Sequence, residues 1–99
     1  MKFVAVTACP TGIAHTYMAA EQLEKTAKML GHSIHVETQG AMGVENELPV
    51  QAIRDADAVV LAADIEVEKR ERFAGKRIVE VTVHEAIKNP KAVLAKAEG

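Results

Sequence analysis

Apolar positions along the chain follow two rhythms. Phe3-Val4-Ala5-Val6, within residues 2–7, and the stretch 58–63 run on without a polar interruption, as expected of strands covered on both faces in a parallel sheet. Between residues 14 and 30, Ala19, Leu23, Ala27 and Leu30 recur at steps of four, four and three, with Glu21, Lys25 and Lys28 between them. That spacing is the signature of an amphipathic helix, and Gly31 ends it as a left-handed cap. Residues 33–38 predict a second strand with Ile34 and Val36 on one face, running into a loop, Gln39-Gly40-Ala41-Met42-Gly43. Pro49 suits the first position of a short helix over 49–56. Beyond the third strand the pattern predicts a charged helical turn over 66–73 closed by Gly75, a fourth strand over 77–81, and helical segments over 83–88 and 90–96 split at Asn89-Pro90.

Strand and helix alternate throughout, with no internal repeat or long linker. The fold class that follows is α/β and Rossmann-like: a four-stranded parallel sheet in the order 2-1-3-4, joined by right-handed crossovers, with helices on both faces. Sheets of this kind bind ligands beyond the carboxyl ends of the strands, where strand order reverses. In the order 2-1-3-4, the end of the first strand falls there, and the residue that follows it is Cys9.

Composition narrows the picture without redirecting it. Ninety-nine residues are enough for one domain with a modest core and too few for two. A net charge of −2, with no basic stripe interleaved with aromatics, sets nucleic acid aside as a partner. The longest apolar runs fall far short of the ~20 residues that cross a bilayer, and the N-terminus lacks a signal-peptide pattern. The expected location is therefore cytoplasmic, including the inner face of the membrane beside a membrane partner. A single cysteine excludes an internal disulfide and fits a reducing compartment.

The stretch Ala8-Cys9-Pro10-Thr11-Gly12 carries the candidate chemistry. Cys9 follows a buried strand and precedes a helix by a few residues, so its sulfur is expected to face the main-chain N–H groups of Gly12, Ile13, Ala14, His15 and Thr16. The thiolate is the nucleophilic form of cysteine, and a helix N-terminus in a partly buried geometry favours an anion by up to ~2 kcal/mol. The same donors fit the three oxygens of a phosphoryl group carrying about −1.5 to −2 charge. Gly12 lets the backbone approach closely, Thr11 and Thr16 offer hydroxyl donors, and Pro10, without an N–H, fixes the turn. His15 is the sole potentially cationic side chain from Cys9 to Thr16. Cysteine phosphatases close a similarly placed loop with an Arg and supply an acid to the leaving group; neither is evident here. Main-chain dipoles alone would hold a phosphoryl group without strongly driving attack by water, which suits a carrier better than a hydrolase.

Plainer readings stand beside these. His15 either contacts the phosphate or packs at the helix start, and the Thr11 and Thr16 hydroxyls are less secure as ligands than their backbone N–H groups. Gln39 and Gly40 form a polar rim or a plain turn, and Asp64 is a helix cap rather than an acid catalyst. His32 and His35 point to opposite faces of a strand, so no metal site is expected, nor any cofactor. His84 belongs to surface or core. In residues 66–72, Glu66 with Arg70 and Glu68 with Arg72 pair at helical spacing on a solvated face, with a docking surface as the other reading. Two further functions compete with the carrier: a monothiol redox domain, which lacks a resolving cysteine, and a non-catalytic phosphoanion-binding module in which Cys9 is incidental.

Taken together, Val4-Ala5-Val6-Thr7-Ala8-Cys9-Pro10-Thr11-Gly12-Ile13-Ala14-His15-Thr16 and Val36-Glu37-Thr38-Gln39-Gly40 closely resemble the fructose-type enzyme IIB domain of the bacterial phosphoenolpyruvate-dependent sugar phosphotransferase system. The pattern spans essentially the whole chain, residues 1–99, and the loop is its most specific part. The resemblance implies that Cys9 is a phosphocysteine: it takes phosphate from a phosphohistidine on a IIA domain and gives it to a fructose-like sugar bound in a membrane IIC permease. Such a transfer splits one reaction into two covalent steps and needs neither ATP nor a metal.

Overall fold

The structure, a computed structural model, describes residues 1–10 and 13–99, with Ile13 described in its backbone alone. Its elements are β1 (Lys2–Ala8), α1 (Ile13–Met29), β2 (Ser33–Gly40), β3 (Gly43–Glu45), α2 (Val50–Asp55), β4 (Ala58–Ala63), a 3₁₀ turn (Arg70–Phe73), β5 (Ile78–Val81), α3 (Val83–Lys88) and α4 (Pro90–Glu98). The sheet order is β3-β2-β1-β4-β5. β1 pairs in parallel with β2 and β4, and β4 with β5. The expected α/β class, and the order of the four parallel strands, are those observed.

The strand count is corrected from four to five. β3 is an antiparallel edge, with Thr38 opposite Glu45 and Gly40 opposite Gly43, formed by residues expected to be loop. Gly43 sits at φ +83, a conformation open to glycine at little cost, so Ala41 and Met42 make a tight reversal and Gln39 and Gly40 remain in β2. Three residues holding one apolar side chain, Val44, give periodicity nothing to detect.

Two smaller expectations also shift. Pro49 is extended (φ −63, ψ 145) and precedes α2 instead of opening it. Of residues 66–73 only Arg70–Phe73 is helical, and as a 3₁₀ turn. The pairs Glu66–Arg70 and Glu68–Arg72 do not form, because one 3₁₀ turn does not bring residues four apart onto one face. Arg70 pairs instead with Glu80 at 2.6 Å, and Arg72 with Glu37 at 2.8 Å.

Side chains of β1 alternate between two cores. Phe3 and Ala5 join Ala19, Leu23, Val60 and Leu94 beneath α1, α3 and α4, whereas Val4 and Val6 join Ile53, Leu61 and Phe73 beneath α2 and the 3₁₀ turn. Each fully buried Val, Leu or Phe contributes roughly 1.5–3 kcal/mol relative to exposure, so β1, buried along six of its seven positions, is the strand both layers are built on. Gly31 is left-handed as expected, at φ +81. Thr82 and Glu85 form a reciprocal capping box at the start of α3, and Pro90 opens α4. Among the described residues, no helix is long and apolar enough to cross a membrane.

Candidate functional site

β1 delivers Cys9, one residue past its end, to the carboxyl edge of the sheet between β2 and β4, where the chain direction of strand addition reverses. The Cys9 N–H donates to the Gln39 carbonyl at 3.4 Å, extending the β1–β2 ladder, and the Asp64 N–H donates to the Ala8 carbonyl at 2.9 Å from the β4 side. The Thr7 hydroxyl donates to the Thr16 carbonyl at 3.1 Å, tying β1 to the first turn of α1. The backbone under Cys9 is thus held from both neighbouring strands, and β1 is tied to the helix that follows.

Cys9 is 3% exposed and lines a cleft of about 430 Å³ together with His15, Met18, Asp64, His84 and Lys88. Its lining combines apolar surface, from Met18 and Ile87, with His15, His84 and Lys88 and with the Asp64 carboxylate. Gly40 adjoins the site: a Cβ there would stand 3.7 Å from the Cys9 carbonyl oxygen and 3.8 Å from the Thr16 methyl, which is ordinary contact.

Of the residues singled out in the sequence, Thr11 and Gly12 lie outside the described residues, as does the side chain of Ile13. Ala14 and His15 are exposed in the first turn of α1, and Thr16 is buried. His15 and Cys9 share the cleft. Asp64 does not cap the turn that follows it; its carboxylate accepts the Val83 N–H at 3.2 Å, just past Thr82, the N-cap of α3. His84 is exposed. His32 lies away from the site, 2.6 Å from Glu98 and edge-on to Phe3. Among the described residues, no group of three or more His, Cys, Asp or Glu side chains is arranged to hold a metal.

Sequence reasoning missed a buried polar cluster beside Cys9. Glu37, fully buried, accepts from Arg72 at 2.8 and 3.0 Å, from the Leu48 N–H at 2.9 Å and from the Gln39 amide at 2.7 Å. Burial alone would push the Glu37 carboxyl up; the hydrogen bonds from Arg72, the Leu48 N–H and Gln39, with the Arg72 charge, outweigh it and hold the group below its ordinary value. Gln39 is neither an open rim nor a turn. It is a buried strand residue whose side chain grips the backbone of Glu68. The available signal was Glu37 itself, a charge in the strand that pairs with the first one, whose Phe3-Val4-Ala5-Val6 run is apolar.

Cys9 thus stands at the switch point of a small doubly wound sheet, shortly before a long helix, where sheets of this kind take their ligands. The model of the PTS system lactose/cellobiose-specific IIB subunit family matches residues 4–96. The chain is 53% identical over 97 residues to the "PTS system fructose-like EIIB component 2" of Escherichia coli K12, covering 98% of this chain and 92% of that protein. It is 52% identical over 96 residues to the "PTS system fructose-specific EIIABC component" of Bacillus subtilis strain 168, covering 97% of this chain and 15% of that one. A crystallised domain of the fructose-specific IIABC component of Borrelia burgdorferi superposes with a TM-score of 0.91 at 46% identity, over 96% of this chain and 90% of that domain. The chain therefore belongs to the IIB family of the PTS, the sugar phosphotransferase system, and within it to the fructose type. Relatives whose names join B to A and C components place such regions in longer chains with other PTS components.

Proposed function

We propose that residues 1–99 act as one unit that carries a phosphoryl group on Cys9. The sulfur attacks the phosphorus of a phosphohistidine on a IIA domain: the S–P bond forms, the N–P bond breaks, and the departing imidazole takes up a proton. In the second step a hydroxyl of a fructose-like sugar, bound by the membrane IIC permease, attacks the same phosphorus. The O–P bond forms, the S–P bond breaks, the hydroxyl proton is released, and the thiolate returns. The enzyme so described is a protein-phosphohistidine–sugar phosphotransferase working at the cytoplasmic face.

The observation that carries this reading is the place of Cys9: at the carboxyl end of β1, between two parallel neighbours, ahead of the 17-residue helix α1. A helix of that length presents unpaired N–H groups and a positive dipole end at its start. Thr11, Gly12, Ile13, Ala14, His15 and Thr16 are assigned to hold the phosphoryl oxygens, chiefly through their main chain, with His15 as the one side chain able to add positive charge. No cofactor has a part in the scheme.

The test is transfer from a phosphorylated fructose-type IIA domain to the parent chain and to Cys9→Ser. The parent should gain phosphate. Cys9→Ser, folded by circular dichroism, should gain none, and phosphate uptake by that variant at the parental rate contradicts the assignment.

A further inference from the structure

Val36-Glu37-Thr38-Gln39-Gly40 ends β2 beside Cys9, and two of its side chains have no part in the transfer just described. Gln39 is 2% exposed. Its amide nitrogen donates to Glu37 at 2.7 Å and to the Glu68 carbonyl at 3.2 Å, while its amide oxygen accepts the Glu68 N–H at 2.9 Å. The partners fix the amide's orientation, since only the nitrogen can face a carboxylate and a carbonyl and only the oxygen can face an N–H. The side chain of Gln39 thereby pairs with Glu68 as a further strand residue would. Its main-chain carbonyl, at the same time, accepts the Cys9 N–H.

The remaining members brace this link. Glu37 is held by Arg72 through two bonds, and Arg72 also donates to the Lys69 carbonyl at 2.8 Å and the Glu68 carbonyl at 3.3 Å. Lys69 is left-handed, at φ 58, a state that a residue with a side chain keeps only where its surroundings impose it. The segment 64–69 begins with Asp64, which walls the Cys9 cleft and whose N–H holds the Ala8 carbonyl. Any movement of that segment reaches the Cys9 backbone from the β4 side, and any loosening of Gln39 reaches it from the β2 side.

We propose that Gln39 is a positioning residue for Cys9, locked by the Glu37–Arg72 pair, and that it fixes the Cys9 backbone relative to the segment 64–69. Its effect on transfer rests on the carrier reading; its effect on the Cys9 backbone does not. The experiment compares the full chain with Gln39→Met, which keeps the length and loses the hydrogen bonds, and with Gln39→Asn, which keeps an amide too short to reach Glu68. Gln51→Met is the control, since Gln51 is exposed and bonds only Asp55 among the contacts resolved for its side chain.

Amide hydrogen exchange is read at Cys9 and Glu68, and steady-state transfer from a phosphorylated IIA domain to sugar, in vesicles bearing the IIC permease, gives kcat and the KM for the donor. In both Gln39 variants the two amides should exchange about tenfold faster or more. The kcat per folded molecule should fall roughly tenfold, with the KM for the donor within about twofold of the parent. Unchanged exchange at Cys9 in whichever variant folds, whatever its kcat, overturns the proposal, as does faster exchange with a parental kcat. A parent chain that takes no phosphate at all sinks the carrier reading, and exchange at Cys9 then decides the positioning role alone.

Discussion

Both faces of the sheet bury apolar side chains, but one of them adds a buried ion pair. Beneath α1, α3 and α4 the contact is apolar, with Leu23, Val60, Val93 and Leu94 all within 2% of complete burial. The other face carries one short helix, a 3₁₀ turn and the irregular stretches 46–49 and 64–69, and it encloses the Glu37–Arg72 ion pair. Long helices satisfy their own backbone groups, so apolar burial suffices to seat them. Irregular segments bring unpaired N–H and C=O groups that need partners when buried, and Glu37, Gln39 and Arg72 supply them to Leu48, Glu68 and Lys69. The Cys9 side chain packs with the apolar face, while its main-chain N–H bonds the carbonyl of Gln39, whose side chain belongs to the polar one.

That contrast can be broken from either side. Arg72→Met leaves a carboxylate buried without its cation and should cost roughly 3–5 kcal/mol in urea unfolding. Adding Glu37→Met to Arg72→Met should recover part of that loss, because the uncompensated charge goes too, although the Leu48 N–H and the Gln39 amide then lose an acceptor. Leu23→Ala on the apolar face should cost roughly 3 kcal/mol, with no second substitution able to offset it in the same way. If both faces respond alike to paired substitutions, the division drawn here is wrong.

A smaller effect separates the faces by pH. The Glu37 carboxyl is lowered in the folded chain, so it contributes stability above its unfolded value near ~4.3, and that contribution is lost as the pH falls through the lower folded value. Unfolding free energy of the parent should therefore drop on acidification below about pH 4.3 more steeply than that of the Glu37→Met, Arg72→Met double variant. Equal slopes would show that Glu37 has no special share in acid stability. Smallest of all, Thr82→Ala removes the capping box that starts α3 and should cost about 1 kcal/mol.

Sequence pattern reached one face better than the other. The runs of β1 and β4, the 3.6-residue rhythm of α1 and its Gly31 stop were legible because each is a local consequence of burial, and they sufficed to place Cys9 at the switch point. β3 was not legible, since three residues at an edge carry no period. Neither was the role of Arg72: read locally it belonged to a solvated charged turn, yet it packs over Phe73 at 4.9 Å and reaches Glu37, 35 positions earlier. Contacts at that separation follow from how the sheet is assembled and leave no trace in spacing. Gln39 shows the same limit, because a polar residue near a strand end reads as rim until the segment it grips is known.

The most direct measurement concerns the bond that holds the phosphate. The chain is phosphorylated from a IIA donor, and the product is followed by phosphorus NMR and by its stability in acid and in base. The account predicts a thiophosphate signal confined to Cys9, absent after prior alkylation of that thiol. Phosphate found instead on His15 or on a threonine oxygen, with Cys9 still open to alkylation, would contradict it.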